Sequence, residues 1–221
     1  MQLQSTSLSV DPGQTLQLQN VSWRAFEDIL NRLGERRSAR IAYYDGMLEI
    51  MTPLPDRERS KENIGDLIKA LLEEMDIEFC TLGSTTFKNE PMARAIEPDN
   101  CFYIENEAAV RSKDRIDLSV DPPPDLALEI DITSRTYTQI YATLGVRELW
   151  QFARGNLQIL RLQQGKYIES ATSGIFPDFS IAALILDALS NCKSIGRNRA
   201  IRKFRDRVRE IQDDRSNPNK L

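Results

Sequence analysis

The segment between residues 57 and 75 most constrains the fold, because its apolar residues recur every three or four positions on one helical face. These residues are Ile64, Leu67, Ile68, Leu71, Leu72 and Met75. The segments that follow, at 78–82, 85–88, 99–104 and 126–132, are short and β-prone, and Gly, Pro and acidic loops separate them. A helix with one apolar face must bury that face against other elements. The chain is therefore expected to belong to the α/β (α+β) class, with a mixed β-sheet core flanked by helices.

The remaining elements extend this layout on both sides. Ser22 is placed to cap a first helix over residues 23–33. Asp45 and Gly46 lie between two apolar runs, where this dipeptide is typical of a tight hairpin. Later segments predict a short helix, three strands and two C-terminal helices, at 136–144, 146–152, 157–162, 167–170, 181–189 and 195–211.

The length of the chain favours one main domain. Its 221 residues, of which 41% are apolar, are enough for one well-buried core and hardly enough for two. Residues 1–20 are rich in Gln, Ser and Thr and predict a mobile arm. The domain is expected over residues 21–190, with a basic helical tail over 191–221. This tail carries a net charge of +6 from residue 193 onwards, against −10 for the rest of the chain.

The absence of histidine excludes whole classes of enzyme. Ser/His/Asp triads, Cys/His dyads and His-containing zinc sites all need an imidazole, and the chain has none. The three cysteines, Cys80, Cys101 and Cys192, are too scattered for a CxxC clamp and indicate reduced thiols. The longest apolar stretch, at 181–186, is far too short to span a bilayer. We therefore expect a soluble cytoplasmic protein without a membrane partner.

The strand predicted at 125–132 carries two acids on one face. Its residues alternate strictly between apolar and polar, so Glu129 and Asp131 share a face with about 7 Å between their Cα atoms. Two interpretations are open at this point. Acids can simply face water on a half-exposed strand, or they can form part of a site.

A third acid can join this face. Asp99 begins the preceding strand, and it would meet Glu129 if the two strands are neighbours. With the backbone carbonyl of Ile130, such a cluster suits Mg²⁺ or Mn²⁺, which bind one or two carboxylates and keep several waters.

Several segments together resemble the Uma-two family of the PD-(D/E)XK nuclease superfamily, over about residues 21–185. They are YDGMLEIMTP at 44–53, FK at 87–88, EPD at 97–99, PDLALEI at 124–130 and YATLGVRELW at 141–150. The resemblance implies a restriction-endonuclease-like fold and metal-dependent hydrolysis of phosphodiester bonds in DNA. It implies Asp99 and Glu129 as catalytic metal ligands, and Mg²⁺ or Mn²⁺ as the cofactor.

One position departs from the superfamily pattern. Asp131 stands where that pattern has a lysine two residues after the glutamate, and it is expected to act as an auxiliary acid. Lys88 is the candidate for the lysine role, with a solvated lysine at a strand end as the alternative. The rival to the nuclease hypothesis is a catalytically inactive relative that binds nucleic acid or protein. In a third interpretation the acids only face water.

The tail has two interpretations that can coexist. Its apolar residues Ile201, Phe204, Val208 and Ile211 recur at helical spacing and form a narrow seam. This seam predicts packing on the body or on a second copy in a homodimer. The arginines around it are expected to contact phosphates of DNA.

Overall fold

The computed structural model describes residues 11–34, 39–52, 54–83, 85–130 and 135–216. The helices described are α1 Trp23–Leu33, α2 Pro55–Glu74, α3 Glu107–Val110, α4 Arg135–Leu144, α5 Ile181–Ile195 and α6 Arg197–Ser216. The strands described are β1 Thr15–Leu18, β2 Arg40–Tyr44, β3 Met47–Met51, β4 Cys80–Thr81, β5 Phe87–Asn89, β6 Arg94–Ile96, β7 Asn100–Tyr103, β8 Leu126–Ile130, β9 Glu148–Ala153, β10 Asn156–Gln163 and β11 Lys166–Ser170.

The strands form two sheets. The first sheet has five antiparallel strands in the order β1-β3-β2-β6-β5. The second has six strands in the order β11-β10-β9-β8-β7-β4, and it is mixed because β8 and β9 run parallel while the other neighbours are antiparallel. The α+β class with a mixed sheet flanked by helices is therefore confirmed. The division into two sheets was not predicted.

Local turn and cap signals act as expected. Ser22 Oγ accepts a hydrogen bond from the Ala25 amide at 3.2 Å and caps α1. Asp45 and Gly46 join β2 to β3 with φ angles of 46° and 83°, which are the positive values that such a hairpin requires.

The N-terminal segment differs in part from the predicted arm. Residues 1–10 lie outside the described residues, but Thr15–Leu18 form β1 and pair with β3. Leu16 and Leu18 pack against the core beneath α1, while Gln17 lies between them. This alternation of apolar and polar residues is a strand pattern, although the surrounding sequence is polar.

Strand β8 is buried on both faces. Leu126, Leu128 and Ile130 pack into the core formed with α2, α5 and α6, whereas Ala127 packs on the opposite side with α4. The predicted alternation of the strand is therefore confirmed for these residues. The alternative of a half-exposed strand whose acids face water is wrong for Glu129, which is fully buried.

Helix α6 packs on the body of the same chain. Phe204 and Val208 are buried against the main core, and α6 contacts both α2 and α5. Arg205 and Arg209 form ion pairs with Glu74 at the end of α2. The packing interpretation of the tail thus holds within one chain, and association of two copies stays a prediction. None of the helices described has the length and apolar content needed to cross a membrane.

Candidate functional site

The ends of β7 and β8 bring two acidic side chains together. The strands are antiparallel with Asn100 opposite Leu128, and this register, continued by one residue, places Asp99 opposite Glu129. Opposite residues project from the same face of a sheet. The amide of Ile130 donates a hydrogen bond to Asp99 Oδ2 at 2.7 Å, and both carboxylates are fully buried. The predicted convergence of the two acids is therefore present.

Two arginines contact this acidic pair, which is defined as Asp99 and Glu129. Arg57, in the first turn of α2, has its Nη2 atom 2.9 Å from Asp99 Oδ2 and 3.9 Å from Glu129 Oε2. Arg40, on β2, has its Nε atom 2.9 Å from Asp99 Oδ1 and donates from Nη1 to the carbonyl of Pro98 at 2.6 Å. Two guanidinium charges thus balance two buried carboxylate charges, as burial of charge requires.

The roles of these arginines were not predicted, but the sequence contains a signal for one of them. Arg57 lies on the same helical face as the apolar stripe of α2, and it is 6% exposed. A cation in an apolar stripe needs a buried anion as its partner. The sequence did not identify which acid that would be.

Two tyrosines on α4 border the pair. The hydroxyl of Tyr141 donates to Glu129 Oε1, and burial, followed by the charge of Glu129, raises the pKa of Tyr141 well above its usual value. One turn earlier, the Tyr137 hydroxyl donates to Glu49 Oε1 at 2.7 Å. Burial also raises the pKa of Tyr137, so both phenols are neutral hydrogen-bond donors. They pack in the same cluster as Ala127, on the face of β8 that carries Glu129.

The electrostatics of the pair favour a cation. Burial, and then the charge of Asp99, raise the pKa of Glu129 well above the usual range of a glutamate. The hydrogen bond from Tyr141 and the charges of Arg57 and Arg40 act in the opposite direction. Burial lowers the pKa of Arg57, but its ion pair and hydrogen bond with Asp99 outweigh burial, and the net change is upward.

The donor atoms of the acidic pair fit a divalent cation. Asp99 Oδ1 and Glu129 Oε2 are buried, and neither accepts a well-aligned hydrogen bond from the part of the chain that the structure describes. Arg40 Nε lies 2.9 Å from Asp99 Oδ1, but its N–H bond does not point at that oxygen. The contact is therefore an ion pair without an aligned hydrogen bond. Two carboxylates are a sufficient protein contribution for Mg²⁺. Within the described residues, no group of three or more Cys, Asp or Glu side chains forms a larger metal-binding set.

The other predicted site residues do not join the pair in the described part of the chain. Asp131 lies outside the described residues. Lys88 Nζ forms an ion pair with Glu27 of α1 at 2.7 Å, and it is partly exposed. The neighbouring Phe87 packs on the opposite face of β5, in the cluster that contains Tyr141. Alternation along the strand therefore places Lys88 on the α1 face, away from Glu129.

The chain is similar to known proteins in sequence and in structure. The sequence model of the Uma2 family, described as "Putative restriction endonuclease", matches residues 23–187. Among solved structures, the chain is similar to one described as "a putative nuclease belonging to DUF820" from Anabaena variabilis ATCC 29413. The two are 15% identical with a TM-score of 0.48, over 71% of this chain and 90% of the other. No curated protein matches the chain.

Proposed function

The chain belongs to the Uma2 family, and we propose that it is a cytoplasmic endonuclease that hydrolyses phosphodiester bonds of DNA with Mg²⁺ or Mn²⁺ as cofactor. The observation that carries this proposal is the acidic pair itself. Asp99 and Glu129 come from two adjacent strands, share one buried face, and each keep an oxygen without an aligned donor. Burying two carboxylates side by side is costly, and such an arrangement is typical of functional sites.

The residues that would hold the cation are Asp99, Glu129 and the backbone carbonyl of Ile130. A divalent cation supplies Lewis acidity there, which polarises water and offsets negative charge on the phosphate. The protein supplies the orientation of its own ligands. The Ile130 amide and Arg40 fix Asp99, and the Tyr141 hydroxyl fixes Glu129.

The positive charge that the superfamily pattern assigns to a lysine has a different source in this proposal. Of the described cationic side chains, Arg40 and Arg57 are those in ion-pair contact with the acidic pair. A role for Asp131 as an auxiliary ligand remains part of the proposal. Arginines on the tail would add affinity for the DNA backbone that depends on salt but not on sequence.

Cleavage of supercoiled plasmid tests the proposal. Wild-type protein is expected to nick the plasmid with Mg²⁺ or Mn²⁺, and chelation should abolish nicking. Asp99→Asn and Glu129→Gln are each expected to lower the rate of nicking at least about a hundredfold. Each variant loses a transition-state interaction worth several kcal/mol. Asp56→Asn is the matched control, because its side chain is 89% exposed on the same helix as Arg57. Equal cleavage by wild type and Asp99→Asn would remove Asp99 from the mechanism.

One observation favours the rival function, a nuclease-fold protein that binds nucleic acid or protein without cutting. The two arginines can already balance the charge of the two acids, so the site needs no metal for charge compensation. The rival predicts salt-dependent DNA binding without cleavage, and no rise in melting temperature with Mn²⁺.

A further inference from the structure

We propose that Arg57 is an internal competitor of the divalent cation: its guanidinium takes the cation position between Asp99 and Glu129, and a metal binds there only when Arg57 leaves. The inference rests on the proposed function for the identity of the competing cation. The guanidinium contact itself is a property of the structure.

The geometry places Arg57 where a shared cation would lie. A single atom, Nη2, is 2.9 Å from an oxygen of Asp99 and 3.9 Å from an oxygen of Glu129. The Glu129 oxygen that it faces, Oε2, is the one that accepts no hydrogen bond from the described residues. An ion that bridges the two acids would therefore approach the same oxygen from the same space.

Charge balance makes the two cations mutually exclusive. Even with both carboxylates ionised, Arg40 and Arg57 already balance the charge of the pair in this buried site. Adding a divalent cation would leave an excess of two positive charges in a medium of low polarity, where repulsion between like charges is strong. Departure of one guanidinium relieves half of that excess.

Arg57 has weaker contacts outside the acidic pair than Arg40 has. Arg40 donates to the Pro98 carbonyl and contacts Glu58 in addition to Asp99. Arg57 makes its aligned hydrogen bond to Asp99, but its Nη1 faces the sulfur of Met51 at 3.0 Å, which is a weak acceptor. The buried Nε atoms of both arginines lack an aligned acceptor among the described residues.

The position of Arg57 on its helix also favours its release. Arg57 lies in the first turn of α2, whose N-terminal end disfavours positive charge. The N-cap residue, Leu54, provides no side-chain hydrogen bond to this helix end. Arg57 is therefore the cation that can leave, whereas Arg40 is also held by the Pro98 carbonyl.

Direct titration of the full chain with Mn²⁺ tests the inference. Free Mn²⁺ is measured by electron paramagnetic resonance for wild type, Arg57→Gln and Arg59→Gln. Arg59 is the matched control, because it is 73% exposed two residues further along the same helix. Arg57→Gln is expected to bind Mn²⁺ about tenfold tighter or more, which is within the usual range for coupling between two binding events. Arg59→Gln should bind like wild type, and Asp99→Asn in the Arg57→Gln background should lose the gain.

A second measurement uses the wild-type chain and needs no variant. Arginine side-chain N–H resonances are followed by nuclear magnetic resonance as Mg²⁺ is added. The Arg57 Nε–H is expected to exchange rapidly with water once the metal binds, while the Arg40 Nε–H stays protected. Unchanged or weaker Mn²⁺ affinity in Arg57→Gln, no Mn²⁺ binding by either form, or an Arg57 signal unaffected by Mg²⁺ would each overturn the inference.

The failure of the inference and that of the proposed function are distinguishable. If Arg57→Gln binds Mn²⁺ more tightly but no form cuts DNA, the competition stands and the nuclease proposal fails. If cleavage depends on Asp99 while Arg57→Gln leaves Mn²⁺ affinity unchanged, the nuclease proposal stands and the competition fails.

Discussion

Arg57 and Asp99 form a buried ion pair that joins the first turn of α2 to the start of β7, with Nη2 2.9 Å from Oδ2. The two residues are 42 positions apart along the chain. Removing one partner of such a pair leaves an uncompensated charge in the interior, which costs more than the pair contributes.

Asp99→Asn is expected to lower the free energy of unfolding by about 3–5 kcal/mol, because two buried guanidinium groups lose their charged acceptor. Adding Arg57→Gln should cost less in the Asp99→Asn background than in wild type, with a coupling energy of at least about 1 kcal/mol. Urea denaturation of the four proteins measures this cycle. Additive effects would show that the pair does not interact in solution.

Lys88→Ala is expected to leave cleavage and Mn²⁺ binding unchanged. The side chain pairs with Glu27 on the α1 face of the first sheet, and the ion pair is partly exposed. Its loss should cost less than about 1 kcal/mol of stability. Plasmid nicking by Lys88→Ala is compared with nicking by wild type and by Asp99→Asn, and thermal unfolding then measures the change in stability. A large loss of cleavage in Lys88→Ala would restore the role that the sequence predicted for this lysine.

Gly65→Ala is expected to destabilise the protein, although alanine favours a helix by about 1 kcal/mol over glycine. A Cβ at this position would lie 2.7 Å from Asn100 Nδ2. Asn100 has little freedom to move, because its Oδ1 accepts from the Thr81 hydroxyl and the Cys101 amide. Chemical denaturation compares the two proteins.

The control for this substitution is Gly65→Ala in an Asn100→Ala background. There the steric conflict is absent, so the same change should be neutral or stabilising. A stabilising effect of Gly65→Ala in the wild-type background would contradict the close approach of α2 to β7.

Glu74→Gln is expected to weaken the attachment of α6 in a pH-dependent way. Hydrogen bonds from Arg209 and Arg205 hold the pKa of Glu74 below its usual value, and they outweigh the effect of burial. Because the pKa of Glu74 is lower in the folded state, ionised Glu74 stabilises the fold. This stabilisation is fully present above the unfolded-state pKa of about 4.3 and is lost as the pH falls through the folded-state pKa. Wild type should therefore exceed Glu74→Gln by up to about 1 kcal/mol at neutral pH, discounted for screening by water.

The measurement is urea denaturation at neutral pH and again well below the usual glutamate pKa, where the difference should vanish. Glu210→Gln serves as the control, because Glu210 pairs with an arginine on α6 alone. A difference between wild type and Glu74→Gln that persists unchanged in acid would contradict the role of the Glu74 charge.

Much of the fold could be predicted because the main elements have strong periodicity. The stripe of α2 and the alternation of β8 each repeat over enough residues to identify the element and its buried face. The three-residue strand β6 was missed, because so short a segment carries no measurable period. The division into two sheets could not be predicted, since pairing partners depend on tertiary contacts.

The candidate site could be predicted in part. Convergence of Asp99 and Glu129 required only that their strands be neighbours, and β7 and β8 are consecutive strands that pair. The pairing of Arg57 with Asp99 depends on the angle at which α2 crosses the sheet, and no local pattern encodes that angle. The direction of Lys88 depends on which helix covers which face of the first sheet, and this is also a tertiary property.

The hydrogen bond from the Ile130 amide to Asp99 has a consequence for how this protein can change over time. Just before β7 begins, the Asp99 carboxylate accepts the amide of Ile130 in place of a main-chain carbonyl. Folding alone is then a sufficient reason to retain the aspartate, even in a descendant that has lost every enzymatic role. The hydrogen bonds described for Arg57 go to side chains alone. Under the proposed competition, its replacement is the step by which descendants would come to bind a metal more tightly.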